Sequence, residues 1–134
     1  MRMAKEVLRS DKLSPPIGVF SPAIRVPASG QIIYVSGLTA RTPDGKTHAP
    51  GDVREQTRYI LENLKILLGE GGATLDDVVR VVVYIRNMND FKAIHDVRAQ
   101  YFTKDPPAST MVEVSRLVSE DMLIEIEATA VVGG

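Results

Sequence analysis

Residues 51–85 read GDVREQTRYILENLKILLGEGGATLDDVVRVVVYI and carry the two strongest secondary-structure patterns of the chain. In the first part, apolar side chains recur at near-helical spacing, which predicts an amphipathic helix. Asp52 is a candidate N-cap, and Glu55 follows three positions later in the spacing of a capping box. The glycines beyond the last apolar position tolerate the left-handed conformation of a helix C-cap. The apolar positions are Val53, Ile60, Leu61, Leu64, Leu67 and Leu68, and the glycines are Gly69, Gly71 and Gly72.

The second part of this stretch, residues 78–85, is β-branched almost throughout and apolar on both faces. Such a run is typical of a central strand that is covered on both sides. Asn89 is a candidate cap for a second helix, which the prolines at positions 106 and 107 would close. The apolar arc of that helix holds Phe91, Ile94, Val97, Tyr101 and Phe102.

Five further segments have β-type patterns, and PASG at residues 27–30 predicts a hairpin between two of them. The element order β-β-β-α-β-α-β-β predicts an α+β fold, with one mixed sheet of about six strands and both helices on one face. No linker or repeat interrupts this order, so residues 1–134 are expected to form a single domain. The five segments are 6–8, 23–26, 31–36, 110–117 and 123–131.

The predicted sheet has apolar residues on both faces, although the two helices cover only one of them. Met111, Leu123 and several valines would be exposed to water in a single copy. A large exposed apolar face usually marks an interface, so we expect a closed homo-oligomer.

Composition excludes several classes of function. The chain has 16 basic and 17 acidic residues, which argues against a nucleic-acid partner, and no cysteine, which removes disulfides, thiolate zinc sites and a cysteine nucleophile. His48 and His95 lack the spacing of a metal pair, so no metal site is predicted. No apolar run has the length of a membrane span and the N-terminus lacks an apolar signal region, so we expect a cytoplasmic protein.

The clearest chemical signal lies in LIEIEATAVV, residues 123–132. By two-residue alternation, Ile124 and Ile126 share one face of this strand, and Glu125 and Glu127 share the other. Two carboxylates on such a face are commonly just solvated. If the face enters an oligomer interface, partial removal from water makes Glu125 a candidate general acid or base. Both interpretations stay open on this pattern alone.

Several segments together are similar to the Rid family, the reactive intermediate deaminases of the YjgF type, which are also labelled L-PSP endoribonucleases. They include FSPAIRV, IIYVSGLTA, VEVSRL and LIEIEATAVV, in the family's order across about residues 18–131. The resemblance implies a chorismate-mutase-like α+β fold and a homotrimer with ligand clefts between neighbouring subunits. It also implies hydrolysis of small enamines or imines to a keto acid and ammonia, without a cofactor.

The same resemblance implies a site of eight residues. Gly37 matches the glycine of the family's VSG motif, and Glu125 matches the glutamate that handles water or a proton. Ser109 stands where the family has an arginine that clamps the substrate carboxylate. Glu125 is therefore the catalytic candidate, and the substrate-binding candidates are Phe20 (in place of tyrosine), Ser36, Gly37, Leu38 (in place of glutamine), Ser109, Thr110 and Met111 (in place of cysteine).

The hydroxyl of Ser109 cannot replace a guanidinium, whose charge-assisted pair with a carboxylate is worth about 1.5–3 kcal/mol. Arg41, Arg86 and Arg98 are candidates to supply the charge from elsewhere. Arg98 falls within the apolar arc of the second helix, where we expect it to snorkel over the far side of the sheet.

Three functions remain open. The first is a divergent hydrolase of an enamine, imine or related C–N bond, whose substrate is more apolar than usual or lacks an α-carboxylate. The second, motivated by the serine at position 109, is a non-catalytic trimer that binds or senses a small metabolite. The third is an endoribonuclease or translation inhibitor, which is disfavoured because the chain lacks the basic and aromatic surface that binds single-stranded RNA.

Overall fold

A computed structural model of the chain describes residues 5–133, in which six strands and two helices follow the predicted order. No helix in this range has the length and apolar character needed to cross a membrane. Short 3-10 turns precede the fourth strand and the second helix. The strands are β1 (Glu6–Leu8), β2 (Ala23–Arg25), β3 (Gln31–Leu38), β4 (Val78–Ile85), β5 (Ala108–Glu113) and β6 (Ile124–Val132), and the helices are α1 (Val53–Glu70) and α2 (Phe91–Tyr101).

The strands form two sheets where the sequence predicts one. A mixed four-stranded sheet has the order β3-β6-β4-β5, and β1 and β2 pair separately. The hairpin expected across residues 27–30 is therefore wrong, because β2 pairs with β1 and β3 pairs with β6. The nine residues of β6 give β3 a much longer ladder than the three residues of β2 could give.

Both helices pack on one face of the four-stranded sheet, which confirms the predicted α+β class. Alternate residues of the strands point at the helices and are buried, as two-residue alternation requires. The buried core includes Ile60, Leu61 and Leu64 from α1, Ile94 and Val97 from α2, Val81, Val83 and Ile85 from β4, and Ile124, Ile126, Ala128 and Ala130 from β6.

The predicted cap of α1 is present. A carboxylate oxygen of Asp52 accepts a hydrogen bond from the Glu55 N–H at 3.1 Å. The reciprocal half of the capping box does not form, because the Glu55 side chain binds Arg58. Leu67 is 45% exposed and lies outside the core, contrary to its predicted apolar position.

The second helix begins differently from the prediction. Asn87, and not Asn89, supplies the capping side chain, and its oxygen accepts a hydrogen bond from the Asn89 N–H at 2.9 Å. This bond opens the 3-10 turn Met88–Asp90, and α2 follows directly at Phe91. The extra turn places the cap two residues earlier than the helical pattern suggests.

The sheet face opposite the helices is exposed, but only in part through the predicted residues: the valine Val112 of β5 is 38% exposed there. Met111 and Leu123 are half-buried and pack against the core. The most exposed large apolar side chains of the open face come from β3, where Ile32 is 56% and Tyr34 77% exposed. Edge strand β3 therefore carries the apolar surface that a further copy could cover.

Gln56 is fully buried in α1 and fixes the loop that leads into β6. Its side-chain oxygen accepts from the Leu123 N–H at 2.9 Å, and its amide donates to the carbonyls of Asp121 at 2.9 Å and Ala49 at 3.2 Å. These bonds give hydrogen-bond partners to partly buried backbone groups of irregular segments. They also set where β6 begins, just before Glu125.

Candidate functional site

The eight predicted site residues do not come together within one chain. Strand β4 lies between β5 and β6, and its buried Val83 pairs with Met111, so Met111 and Ser109 face the helices. Tyr84, the next residue, points to the opposite face and pairs with Glu125. Glu125 and Ser109 therefore lie on opposite faces of the sheet, whereas the resemblance implied one site, in a cleft between neighbouring subunits.

The first group of site residues surrounds Glu125, and we call it the carboxylate half-site. The Glu125 side chain lies directly against Gly37: a Cβ atom added at Gly37 would be 1.9 Å from Glu125 Oε2 and 2.8 Å from its Cδ. Any side chain at position 37 would meet the carboxylate, so a glycine is required for this arrangement.

A β-bulge places Ser36 and Gly37 beside that carboxylate. In the ladder with β6, Val35 pairs with Ala128 and Leu38 pairs with Ile126, and the register assigns no pairing to the two residues between. A bulge of this kind leaves backbone groups outside the regular ladder and re-aims the residues that form it. The β3 backbone at Ser36 and Gly37 is therefore available next to Glu125.

The two carboxylates of β6 differ in their partners. The Tyr84 hydroxyl donates a hydrogen bond to Glu127, and this bond raises the pKa of Tyr84. Across residues 5–133, no group donates a hydrogen bond to the side chain of Glu125. Glu125 is thus the carboxylate of this pair that is free to contact a ligand.

The second group of residues lines a cavity of about 200 Å³ on the helix side of the sheet, between the loop at residues 17–20, α2 and β5. Phe20, Ser109 and Met111 contribute to its walls, as the resemblance implies for one site. Larger hollows of about 460 and 750 Å³ are lined mostly by exposed residues of surface loops. The smaller cavity differs from both because a buried charged side chain borders it.

That side chain is Arg98, whose predicted position is wrong. It does not snorkel to the surface and is only 4% exposed. Its Nη2 donates to Ser109 Oγ at 3.0 Å and to the Val19 carbonyl at 3.2 Å, whereas its buried Nε has no acceptor. Within the described part of the chain, no carboxylate forms an ion pair with it.

Burial lowers the pKa of Arg98 to about 10. The guanidinium remains protonated at neutral pH, and the shift corresponds to about 3 kcal/mol of unfavourable free energy for the charged form in the fold. The pattern of α2 held a signal for this, because Arg98 sits in the apolar arc beside Val97. Helical periodicity indicated on which face of α2 Arg98 lies, but it did not indicate that the guanidinium is buried.

His95 also borders the cavity, and the sequence assigned it no role. Its Nδ1 accepts a hydrogen bond from the Val19 N–H at 3.2 Å, and its ring stacks on Phe91 with the centroids 5.8 Å apart. Acceptance at Nδ1 leaves Nε2 to carry the proton of the neutral ring. His48 stacks on Tyr59 instead, and residues 5–133 contain no cluster of three or more metal-binding side chains.

The remaining predicted residues belong to neither group. Leu38 follows the bulge and packs against the core. Thr110 is exposed on the open face, where it accepts a long hydrogen bond of 3.4 Å from Arg80. Arg41 and Arg86, the other candidates for supplying positive charge, do not line the cavity.

Comparison with known proteins identifies the family of this chain. Residues 11–132 match the family model described as Endoribonuclease L-PSP. A RutC family protein of Pyrococcus abyssi is 45% identical over 96% of this chain and 98% of that protein. The 3-aminoacrylate deaminase RutC of Acinetobacter baylyi is 35% identical over 96% of this chain and 98% of its own length. The 2-iminobutanoate/2-iminopropanoate deaminase of Dermatophagoides farinae is 34% identical over 97% and 99%.

Among solved structures, a protein of the conserved Rid family from Yersinia pestis superposes with a TM-score of 0.86 at 34% identity. The superposition covers 95% of this chain and 98% of that one. Both the fold and the sequence thus agree over almost the whole chain. The chain belongs to the Rid family, the family of the RutC and YjgF proteins whose model carries the description Endoribonuclease L-PSP.

Proposed function

We propose that this protein hydrolyses the C–N bond of a small enamine or imine, with Glu125 as the group that moves protons. The observation that carries the proposal is the Glu125 carboxylate, which lies against Gly37 and has no hydrogen-bond donor among residues 5–133. Two relatives that span nearly the whole chain are named as deaminases, of 3-aminoacrylate and of 2-iminobutanoate or 2-iminopropanoate. Their names support this class of reaction.

The chemistry requires one water and one proton-transfer group. An enamine first takes a proton at its terminal carbon from the Glu125 carboxyl group and becomes an iminium ion, which leaves Glu125 as a carboxylate. Water then adds to the carbon of the C=N bond while Glu125 accepts one of its protons. The carboxyl group returns that proton to nitrogen, ammonia leaves, and the hydroxyl group of the adduct gives its own proton to the Glu125 carboxylate, so that a carbonyl compound remains and the carboxyl group is restored. The backbone at Ser36 and Gly37 is placed to orient the water or the adduct.

We further propose that the complete site needs two copies of the chain. Within one copy, the carboxylate half-site and the Ser109 cavity lie on opposite faces of the sheet. In a cyclic homo-oligomer of three or more copies, each interface is formed by two different surfaces of the chain, one from each neighbour. A homotrimer of this kind would place Glu125 of one copy at the mouth of a neighbour's cavity, lined by Phe20, Ser109 and Met111.

The test uses an imine generated in solution by an amino-acid oxidase, with release of ammonia and the carbonyl product as the readout. We expect the Glu125→Gln variant to lose about 10²–10⁴-fold in rate, the range that general acid–base groups contribute. The matched control is Glu127→Gln, because Glu127 lies on the same face of β6 but is bound by Tyr84. Glu125→Gln turning over at the wild-type rate on every imine would contradict the proposal.

A second candidate function is binding without catalysis. It is favoured by Ser109, which stands where the Rid pattern has its carboxylate-clamping arginine. A metabolite that binds only the folded state raises the Tm by mass action. Metabolites that raise the Tm but are recovered unchanged, in a protein that consumes no imine, would favour this function over hydrolysis.

A further inference from the structure

Arg98 is a buried cation without a counter-charge, and it borders the cavity on the helix side of the sheet. Its side chain is 4% exposed, and no carboxylate among residues 5–133 pairs with it. Enclosing an unpaired charge is unfavourable, so buried charges in proteins are normally paired or bind an ion. The fold tolerates this cost next to a space that a ligand can fill.

The guanidinium is held from one side only. Nη2 makes both of the hydrogen bonds that it forms with residues 5–133, to Ser109 Oγ at 3.0 Å and to the Val19 carbonyl at 3.2 Å. Nε and Nη1 have no acceptor in that range. Two neutral anchors therefore orient the group, and they leave its charge and part of its donor capacity for something else.

We propose that Arg98 is the anion-binding group of this cavity and that the ligand is a small carboxylate. A guanidinium matches a carboxylate in shape as well as in charge. The cavity of about 200 Å³ is large enough to hold a ligand of a few non-hydrogen atoms. The identification of this ligand as the substrate rests on the proposed function; the binding of the anion does not.

Ser109 and Arg98 are complementary in this arrangement. The Rid pattern places its arginine on the strand, at the position of Ser109, whereas this chain delivers a guanidinium to the same place from α2. The short serine side chain leaves room for that group and accepts a hydrogen bond from it. Arginine at both positions would bring two cations together in a buried site, which is unfavourable.

The position of Arg98 changes the expected ligand. Sequence reasoning alone suggested a substrate that is more apolar or lacks an α-carboxylate, because Ser109 carries no charge. With Arg98 at the cavity wall, the positive charge is still present and only its origin along the chain differs. A small acid is then a better ligand than its neutral counterpart.

The experiment compares pyruvate with pyruvamide, a neutral amide of similar size, by calorimetry and by the shift in Tm of the full-length protein in its native assembly. We expect wild-type protein to bind pyruvate at least about 10-fold more tightly than pyruvamide. Arg98→Met keeps the length of the side chain and removes its charge, so it should weaken pyruvate binding by about 10- to 100-fold and leave pyruvamide unchanged. Arg54→Met is the matched control, since Arg54 is 47% exposed and paired with Asp96.

A charge swap keeps the test decisive if Arg98→Met folds poorly. The double variant Arg98→Ser with Ser109→Arg returns the guanidinium to the strand and should recover the preference for pyruvate that Arg98→Ser alone loses. Equal binding of pyruvate by wild type and Arg98→Met, or no preference of the wild type for pyruvate over pyruvamide, would overturn the inference.

The two proposals fail separately in these measurements. Arg98-dependent binding of pyruvate in a protein that consumes no imine would leave the anion site standing and remove the proposed hydrolase. Glu125-dependent turnover of imines that is unaffected by Arg98→Met would leave the proposed hydrolase standing and remove Arg98 as the group that binds the substrate carboxylate.

Discussion

At the scale of single residues, the closest approach in the carboxylate half-site is between Gly37 and Glu125. The backbone of Gly37 does not have a positive φ, so an alanine there would not strain the chain itself. The only obstacle is the glutamate, whose Oε2 would be 1.9 Å from the new Cβ. Position 37 can therefore be used to move the carboxylate without altering its chemistry.

The Gly37→Ala variant should displace Glu125 while the fold stays intact. A misplacement of about 1 Å in a catalytic group can cost roughly 100-fold in rate, so we expect a loss of that order in imine hydrolysis. The measurement is kcat/KM with an oxidase-generated imine, together with the Tm. Because both changes act on one group, Gly37→Ala should add little to the loss caused by Glu125→Ala.

Gly69→Ala is the matched control for this substitution. Gly69 lies near the end of α1, and an added Cβ would meet nothing within 4 Å. Alanine is favoured over glycine in a helix by about 0.5–1 kcal/mol, so this variant should be as stable as the wild type or slightly more stable. Equal activity of the Gly37→Ala and Gly69→Ala variants would show that the reaction does not depend on the position of the Glu125 carboxylate.

At the scale of elements, α2 is held to α1 by a charged group on its outer side. Asp96 accepts hydrogen bonds from Lys92 at 3.1 and 3.2 Å and from Arg54 of α1 at 3.3 Å. The bond with Lys92, followed by the contact with Arg54, lowers the pKa of Asp96. The helix that carries Arg98 and His95 is thereby tied to its neighbour.

The Asp96→Asn variant should show a defined dependence on pH. A carboxyl group whose pKa is lower in the folded state stabilises the fold above its unfolded pKa of about 3.9, and that stabilisation is lost as the pH falls through the folded pKa. We therefore expect Asp96→Asn to lower the Tm at pH 7 and to have no effect at about pH 2. High salt should reduce the difference at pH 7, since the pair is exposed.

Asp11→Asn is the control for that measurement, because Asp11 is an exposed loop residue that forms no ion pair with any other residue of the range 5–133. Its Tm should follow that of the wild type at both pH values. A Tm difference for Asp96→Asn that persists unchanged at about pH 2 would show that the substitution acts through packing and not through charge.

At the scale of the whole molecule, the prediction concerns assembly. Ile32 on the open face of the sheet and Ile66 on the outer side of α1 are the same residue type with similar exposure, 56% and 65%. If the open face is covered by further copies, a charge at position 32 is buried without a partner, whereas a charge at position 66 stays in water. Ile32→Asp should therefore dissociate the oligomer, and Ile66→Asp should leave it unchanged.

The measurement is the molar mass by light scattering, with three times the chain mass of 14.7 kDa expected for the wild type. The molar mass of the Ile32→Asp variant should fall towards that of a single chain. This variant should also lose activity, because the carboxylate half-site of one copy is then separated from the Ser109 cavity of its neighbour. A wild-type protein that stays at one chain mass at every concentration would contradict the assembly and, with it, the shared cleft.

The local spacing of residues was enough to predict much of this molecule. Element order, the Asp52 cap and the alternation of Glu125 and Glu127 against a buried apolar row all agree with the structure. Each of these depends on residues a few positions apart, whose geometry follows from the helical and strand repeats alone. The resemblance to the Rid family likewise rested on contiguous motifs, and the family match confirms it.

The helical and strand periodicities do not determine which elements lie next to each other. Only the tertiary structure decided this. The pairing of β3 with β6 in place of β2, and the placement of β4 between β5 and β6, put Ser109 and Glu125 on opposite faces. The contacts of Arg98 with Ser109 and with Val19 join segments 11 and 79 positions apart in the chain. Periodicity states which side of an element a residue occupies, but only the packed fold determines what lies on that side.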